Sequence, residues 1–387
     1  MSNKIASPSL PISLAVIALG TAFAILFLGA ENEYLIGSLL VFVTLAVVAS
    51  SKFNILNRMY ATFAVHEVLM QAAIVVATLL LVAWFYDDHF SLLMITAAMV
   101  YAIAAIGLNI QFGYAGVLNF AGAAFLGIGC YTSAVLGQYT NLPSMLILCL
   151  GGLVAAVIGT ILILPVLRTS GHYAALVTIA FSILFKTFLE VNDVLGGPQG
   201  LNVKPTVLFG WNFNTNIEIR DEFEASFYLC YALLALFLLA LAFIFTRRLE
   251  RSWIGLSMDS IRLDETASAC YGLNIALWKS VAFTFGNFLI GVAGAMYGQM
   301  LGYVAPSNFT FGDSLILVSI VLLGGIGNPW GVITAASIVI LLPEKFQIIQ
   351  EYRFLLYGIV VIFILLYRPK GLLPRQLRNY LPGGMKA

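Results

Sequence analysis

Apolar residues run along this chain in long unbroken stretches instead of recurring on one face of a helix. The stretches fall near positions 10–30, 34–51, 68–86, 91–110, 115–137, 143–166, 172–190, 226–246, 280–303 and 352–367. Most are near the roughly 20 helical residues needed to cross a hydrocarbon core about 30 Å thick. Two shorter stretches, 314–326 and 331–342, flank the sequence GGIGNPWG. Runs that short predict tilted half-helices or a re-entrant pair, and as a pair they leave the parity of the crossings unchanged. The pattern predicts an all-α polytopic membrane protein with roughly 10–12 transmembrane or half-membrane helices.

Composition agrees. The 387 residues are 61% hydrophobic and 10% charged, with a mean hydropathy of +0.98, whereas soluble domains carry about 25% charged residues. Between positions 90 and 167 there is no Asp, Glu, Lys or Arg. A net charge of +1 excludes a basic nucleic-acid binder or a polyacidic tail. The first stretch, from Leu10 to Leu28, exceeds the roughly 7–15 residues of a signal-peptide core and lacks an A-x-A cleavage site, so it predicts an uncleaved first span. Of the cysteines, Cys130, Cys149 and Cys230 lie in apolar runs, and with Cys270 none forms a C-x-x-C pair. They read as small core residues.

Charge then orients the chain. With Lys4 in the cytoplasm and sides alternating, the inside set is Lys4, Lys52, Arg58, Arg168, the 247–279 segment and everything after Tyr367. It holds 14 of the 19 Lys and Arg residues, as the positive-inside rule requires. The acidic 190–225 loop falls outside. This predicts a multi-pass protein of the inner (cytoplasmic) membrane, embedded in the lipid bilayer with both termini cytoplasmic.

No catalytic residue and no metal ligand set emerges. HEVLM at 66–70 ends in Met70 where a zinc-binding H-E-x-x-H helix needs its second histidine. YDDHF at 86–90 reads as a solvated turn, and His172 as the start of a span. No lysine sits in a G-x-x-x-x-G-K-[ST] loop, and Trp330 occupies the last glycine position of a would-be G-x-G-x-x-G. If ATP drives this protein, another chain binds it.

The glycines carry more. Gly294, Gly298 and Gly302 recur every four residues, as do Gly151, Ala155 and Gly159. Small residues at that spacing let helix backbones approach closely. Packing within the chain is the expected use; a subunit interface or a solute path is the other. FGYAGVLNFAGAAFLGIG at 112–129 is too interrupted for a plain span. Broken helices expose backbone groups to polar solutes, so Tyr114, Asn119 and Gly122, with Gly324, Gly325 and Gly327, are candidates for a translocation pathway. Lys186 and Glu190 read as a local i,i+4 pair.

One polar segment remains, RSWIGLSMDSIRLDETASACYGLN at 251–274. It predicts a cytoplasmic helix started by Ser257 or Ser260, with Asp259 in its first turn. Gly272 and then Leu273 stop it. Ala267, Ser268 and Ala269 make it smooth while Asp264 and Glu265 project charge. Such a helix resembles a plug for another protein's groove; a solvated connector is the alternative.

From about 104 to 373 the chain resembles the membrane subunits of branched-chain amino acid ABC transporters of the LivM type. FGYAGVLNFAGAAFLGIGCYTSAVL is similar to that family's G-Y-x-G-x-x-S-L-G-H-A-A-F element. LRTSGHYAALVTIAF with LGGPQGL, the 251–274 segment, LLGGIGNPWGVITAA and YRPKGLLP follow in the family's order. Ala121 stands where many members have His, Ala269 where many have Glu, and Ile183 where a membrane acid is common. The resemblance implies N-terminal transmembrane helices in 1–90, an ABC importer permease core in 91–373 with a coupling loop at 247–279, and a cytoplasmic tail in 374–387. It implies that Asp259, Arg262, Glu265, Ala267 and Gly272 form the coupling loop, with ATP bound by partner ATPase subunits and no cofactor in this chain. Implied partners are a second permease subunit, two ABC ATPase subunits and a periplasmic substrate-binding protein. The expected cargo is branched-chain amino acids or a similar small polar solute. Alternatives are an ABC permease for urea or amides, an ion-coupled secondary transporter, which would want ionisable residues at mid-span, and an intramembrane enzyme, which would want a polar catalytic cluster.

Overall fold

The computed structural model describes residues 10–30, 32, 34–39, 41–42, 66–168, 172–208, 210–215, 217–220, 223–345, 352, 355, 358–359, 362, 366, 371–373 and 375. Twelve α-helices organise the described residues: α1 Leu10–Gly29, α2 Glu67–Trp84, α3 His89–Gly113, α4 Gly122–Tyr139, α5 Ser144–Arg168, α6 His172–Val191, α7 Tyr228–Arg251, α8 Trp253–Leu263, α9 Glu265–Cys270, α10 Ile275–Leu301, α11 Phe311–Gly324 and α12 Pro329–Lys345. Eight helices among the described residues are long and apolar enough to cross a membrane. Lys4, most of the second apolar stretch and most of the last one lie outside the described residues, as does nearly all of the tail.

α10 is the centre, packed against α5, α4 and α3. α3 is apolar all round and buried along nearly its whole length, as expected of a helix with no polar face to turn to solvent. α1 and α2 are equally apolar but leave Leu19, Leu26, Val68, Leu80 and Trp84 exposed; with few neighbours among the described residues, those side chains suit a lipid environment.

The helix ends gather at two faces. One carries α8 and α9, the start of α2, the end of α3, the turn between α11 and α12 and residues 371–373 and 375. The other carries short strands: β1 Leu201–Asn202, β2 Val207–Leu208, β3 Trp211–Asn212, β4 Ile217–Arg220, β5 Phe223–Ala225 and β6 Tyr303–Val304. β1 pairs antiparallel with β6, β2 with β3, and β4 with β5. At this strand face Asp88 caps α3, accepting from the Phe90 and Ser91 amides at 3.0 and 3.3 Å. Beside it His89 hydrogen-bonds Ser226.

The ambiguous 313–343 pair runs between the faces. α11 starts at the strand face, where Thr310 and Asp313 form a capping box. It ends where the Gly324 carbonyl accepts from Leu373 N–H at 3.1 Å. α12 returns, and Lys345 Nζ donates to the Leu28 and Ala30 carbonyls at the end of α1. α12 is short for a crossing, whereas α11 reaches crossing length with the turn before it, from Pro306 to Gly324; the glycine-rich turn between them is buried in protein, where irregular backbone is tolerated.

Candidate functional site

The polar segment folds as two helices with a break, which corrects the single helix expected. Ser252, and neither Ser257 nor Ser260, caps α8, accepting from Gly255 N–H at 3.4 Å. Asp264 ends α8 in extended backbone and caps α9, its Oδ1 accepting from Ala267 N–H at 3.0 Å. The Asp264 carboxylate therefore serves a helix start. Asp259 sits in the middle of α8 instead of its first turn. The stop is as read. Gly272 has φ +80°, and the Leu273 and Gly272 amides return to Ser268 and Ala269 carbonyls at 3.1 and 2.9 Å, a Schellman closure. In α9 only Ser268 is buried, so Glu265 and Ala267 stand on an exposed ledge; Glu265 reaches Lys279 at 2.6 Å.

Behind the ledge lies a charged network that the sequence reading did not anticipate. Arg375 makes a bidentate pair with Asp259, at 2.5 and 2.7 Å. Its Nη1 also donates to the Gly113 carbonyl at 3.2 Å, and its guanidinium lies 4.4 Å from the Tyr114 ring centre. Arg262 donates to the same Gly113 carbonyl. Two arginines thus cap the C-terminus of α3, whose last carbonyls lack helical partners and carry the negative dipole end. Glu250 joins Arg247 at 2.6 Å and faces Arg375 at 3.6 Å. Arg247 and Arg251 both pair with Glu67 at the start of α2. Burial and the neighbouring Arg375 charge pull the Arg262 pKa down. For Arg375 burial acts downward too, but the Asp259 hydrogen bonds and the nearby acids outweigh it and push the pKa up. Both remain cations.

The two interrupted stretches meet here. Asn109 Oδ1 accepts from Gly327 N–H at 2.7 Å. A Cβ on Gly113 would come within 2.5 Å of Gly327 Cα. Gly327 has φ +88° and Gly325 φ +109°, so this turn needs residues without a Cβ penalty. Gly324 lies equally close on Gly331, and a Cβ on Gly122 would meet the Leu317 side chain at 2.9 Å. Asn119 reaches back into a buried amide cluster, donating to Gln111 Oε1 at 2.7 Å while Gln111 donates to Asn287 Oδ1 at 2.9 Å. Tyr114 and Asn119 are fully buried. The six pathway candidates therefore form closed contacts in this state. None lines the cavity of about 530 Å³ at the strand face, bordered by Ser144, Lys204, Asn212 and Gln299.

Gly294 and Gly298 of the expected stripe pack on Leu126 and on Cys130 with Ser133. Gly302 does not. It ends α10 at φ +72° with nothing near its Cβ position. Gly286 and Gly291, which were not part of the expected stripe, also make close backbone approaches, to Gly107 and to Gly129 and Gly151. Lys186 and Glu190 pair at 3.3 Å. Cys130 is core, whereas Cys149 faces outward instead of into it. Among the described residues no three His, Cys, Asp or Glu side chains converge on one point.

Residues 90–365 match the family described as branched-chain amino acid transport system / permease component. The chain is 35% identical over 323 residues to the high-affinity branched-chain amino acid transport system permease protein LivM of Salmonella typhimurium strain LT2, covering 80% of this chain and 75% of that protein. It is 35% identical over 320 residues to LivM of Escherichia coli strain K12, covering 79% and 75%. LivH of Salmonella typhimurium is 23% identical over 296 residues, covering 73% and 93%. No solved structure matches. With its helical membrane architecture and a match spanning most of its length, the chain belongs to the branched-chain amino acid transport system permease family.

Proposed function

We propose that this chain is one of two membrane subunits of an ATP-driven importer for branched-chain amino acids or a similar small polar solute. The observation that carries this is the α8–α9 ledge: an exposed, capped helix pair wired by Asp259 and Arg262 to the buried meeting point of the two glycine-rich turns. A ledge in that position transmits push from a soluble partner to helix ends inside the membrane domain. The relatives' printed names, branched-chain amino acid transport system permease proteins, support the cargo.

In this reading α8 and α9 face the cytoplasm of an inner-membrane protein whose termini are both cytoplasmic. A second permease subunit completes the path, two ABC ATPase subunits bind the ATP, and a periplasmic binding protein delivers solute to the strand face. This chain supplies no cofactor. Asp259, Arg262, Glu265, Ala267 and Gly272 form the docking ledge. ATPase closure would shift it between two arrangements of the helix bundle.

The test is uptake of radiolabelled leucine in cells lacking their own carriers, given this chain with the ATPase, second permease and binding protein of its own genome. Uptake should vanish when the ATPase is omitted. Ala267→Trp and Gly272→Leu should abolish uptake at normal expression. The first obstructs the ledge; the second forces a Cβ into left-handed backbone. Normal uptake by both variants would leave 251–274 a mere connector, and uptake without the ATPase would overturn the ATP-driven reading.

A further inference from the structure

The Arg375 side chain is 9% exposed, yet each of its contacts belongs to a different segment. Asp259 is on α8, the Gly113 carbonyl ends α3, Tyr114 opens the interrupted 114–121 segment, and Glu250 is in the last turn of α7. Arg375 Cδ also fills the space over Gly327 where a Cβ would fall 2.5 Å away. The guanidinium is therefore the common fastener of the ledge and both glycine-rich turns. α8 cannot slide relative to Gly113 and Gly327 without breaking the bidentate pair or drawing Arg375 along. A planar fork is required, because a lysine ammonium is a single point charge that cannot hold a carboxylate in two parallel hydrogen bonds while also serving Gly113.

We propose that Arg375 is a positioning residue that latches α8 to the closed contact between the end of α3, at Asn109 and Gly113, and the 325–328 turn, so that displacing α8 releases that contact. The proposal deepens the importer reading and rests on it for its meaning in transport, but its geometry stands without any partner subunit.

The experiment places a reporter thiol in the latched region by Ala115→Cys, a position that is 1% exposed. Cys149, Cys230 and Cys270 are replaced by serine. Cys130 is kept, since its thiol is buried and donates to the Gly294 carbonyl at 2.8 Å, where only general unfolding would expose it. Labelling of the purified full chain by a soluble maleimide is followed at both thiols. Arg375→Ala and Asp259→Asn should each accelerate labelling at position 115 about tenfold, within the roughly 5–150-fold range of ordinary coupling energies. Labelling of Cys130 should stay slow, and Arg375→Lys should fall between parent and Arg375→Ala. Unchanged labelling at position 115 in all three variants overturns the latch. So does acceleration at position 115 only in step with Cys130, which would make Arg375 merely structural.

In the assembled transporter Arg375→Ala should keep the ATPase bound and hydrolysing while solute moved per ATP falls about tenfold, with Arg375→Lys between it and the parent. An unchanged ratio would overturn the role in coupling. A parent chain that binds no ATPase would defeat the importer reading and leave the labelling result intact.

Discussion

The glycine face of α10 and the charged network beneath α8 hold the same helices together by opposite means. Along α10, Gly286, Gly291 and Gly294 bring backbones so close that an added Cβ would strike the carbonyls of Gly107, Gly151 and Leu126. Lipid gives no hydrophobic drive for helices to associate, so close packing must supply it. Such a contact has one good arrangement. The charged network instead gathers Glu67, Arg247, Glu250, Asp259 and Arg375 from four parts of the chain, and several partners lie within reach of one another. Ion pairs can be exchanged where interdigitated backbones cannot, so a two-state element is expected at the charged end of the bundle.

The largest effect should come from breaking the packed side. Gly294→Leu sets a side chain against the Leu126 backbone. Overpacking costs about 1–3 kcal/mol and more where only backbone can give way. The expected result is loss of monodisperse protein after detergent extraction; a normal yield would sink the account of α10 as a tightly packed hub. Next, Asp259→Ala leaves Arg375 short of its bidentate partner. Removing one side of a buried pair costs about 3 kcal/mol, read as a lower thermal midpoint with the protein still folded. A midpoint matching the parent would show that the network contributes specificity alone.

A smaller effect belongs to the strand face, where charge only caps a helix. Asp88→Ala should cost about 1 kcal/mol. Burial raises the Asp88 pKa, but the Ser91 and Phe90 hydrogen bonds outweigh it and hold it below the ordinary carboxylate value. The folded pKa being the lower, this stability is present above the unfolded pKa near 4 and is lost as pH falls through the folded value. The parent should therefore lose its advantage over Asp88→Ala only in strong acid, and an equal gap at every pH would refute the linkage. Smallest of all, Lys186→Ala removes an exposed pair, with side chains 37% and 40% exposed, and should shift stability by less than about 0.5 kcal/mol. A shift as large as that of Asp259→Ala would mean that burial does not distinguish the two sets of charges.

Several errors of the sequence reading have a common cause. Gly302 looked like the third member of a four-residue stripe, but spacing cannot tell a glycine facing a neighbour from one ending a helix. The break at Asp264 was hidden because Asp suits a cap and a solvated surface equally well. Arg375 was overlooked because its partner Asp259 is 116 residues away. Of the buried amides the sequence singled out Asn119 alone, although Asn109, Gln111 and Asn287 also stand in apolar runs, and lone polar groups at membrane depth must find partners.

By itself the sequence determined the membrane architecture, the main spans, the polar ledge and the glycine stop at Gly272. Those follow from local quantities: the length of an apolar run, the density of charge, the residue that tolerates left-handed backbone. Only the tertiary structure decided which glycines touch, that the two interrupted segments meet at Asn109, Gly113 and Gly327, and that Arg375 joins them to α8. Those contacts depend on distances between residues far apart in the chain, and a run of apolar letters is compatible with many ways of packing the helices it specifies.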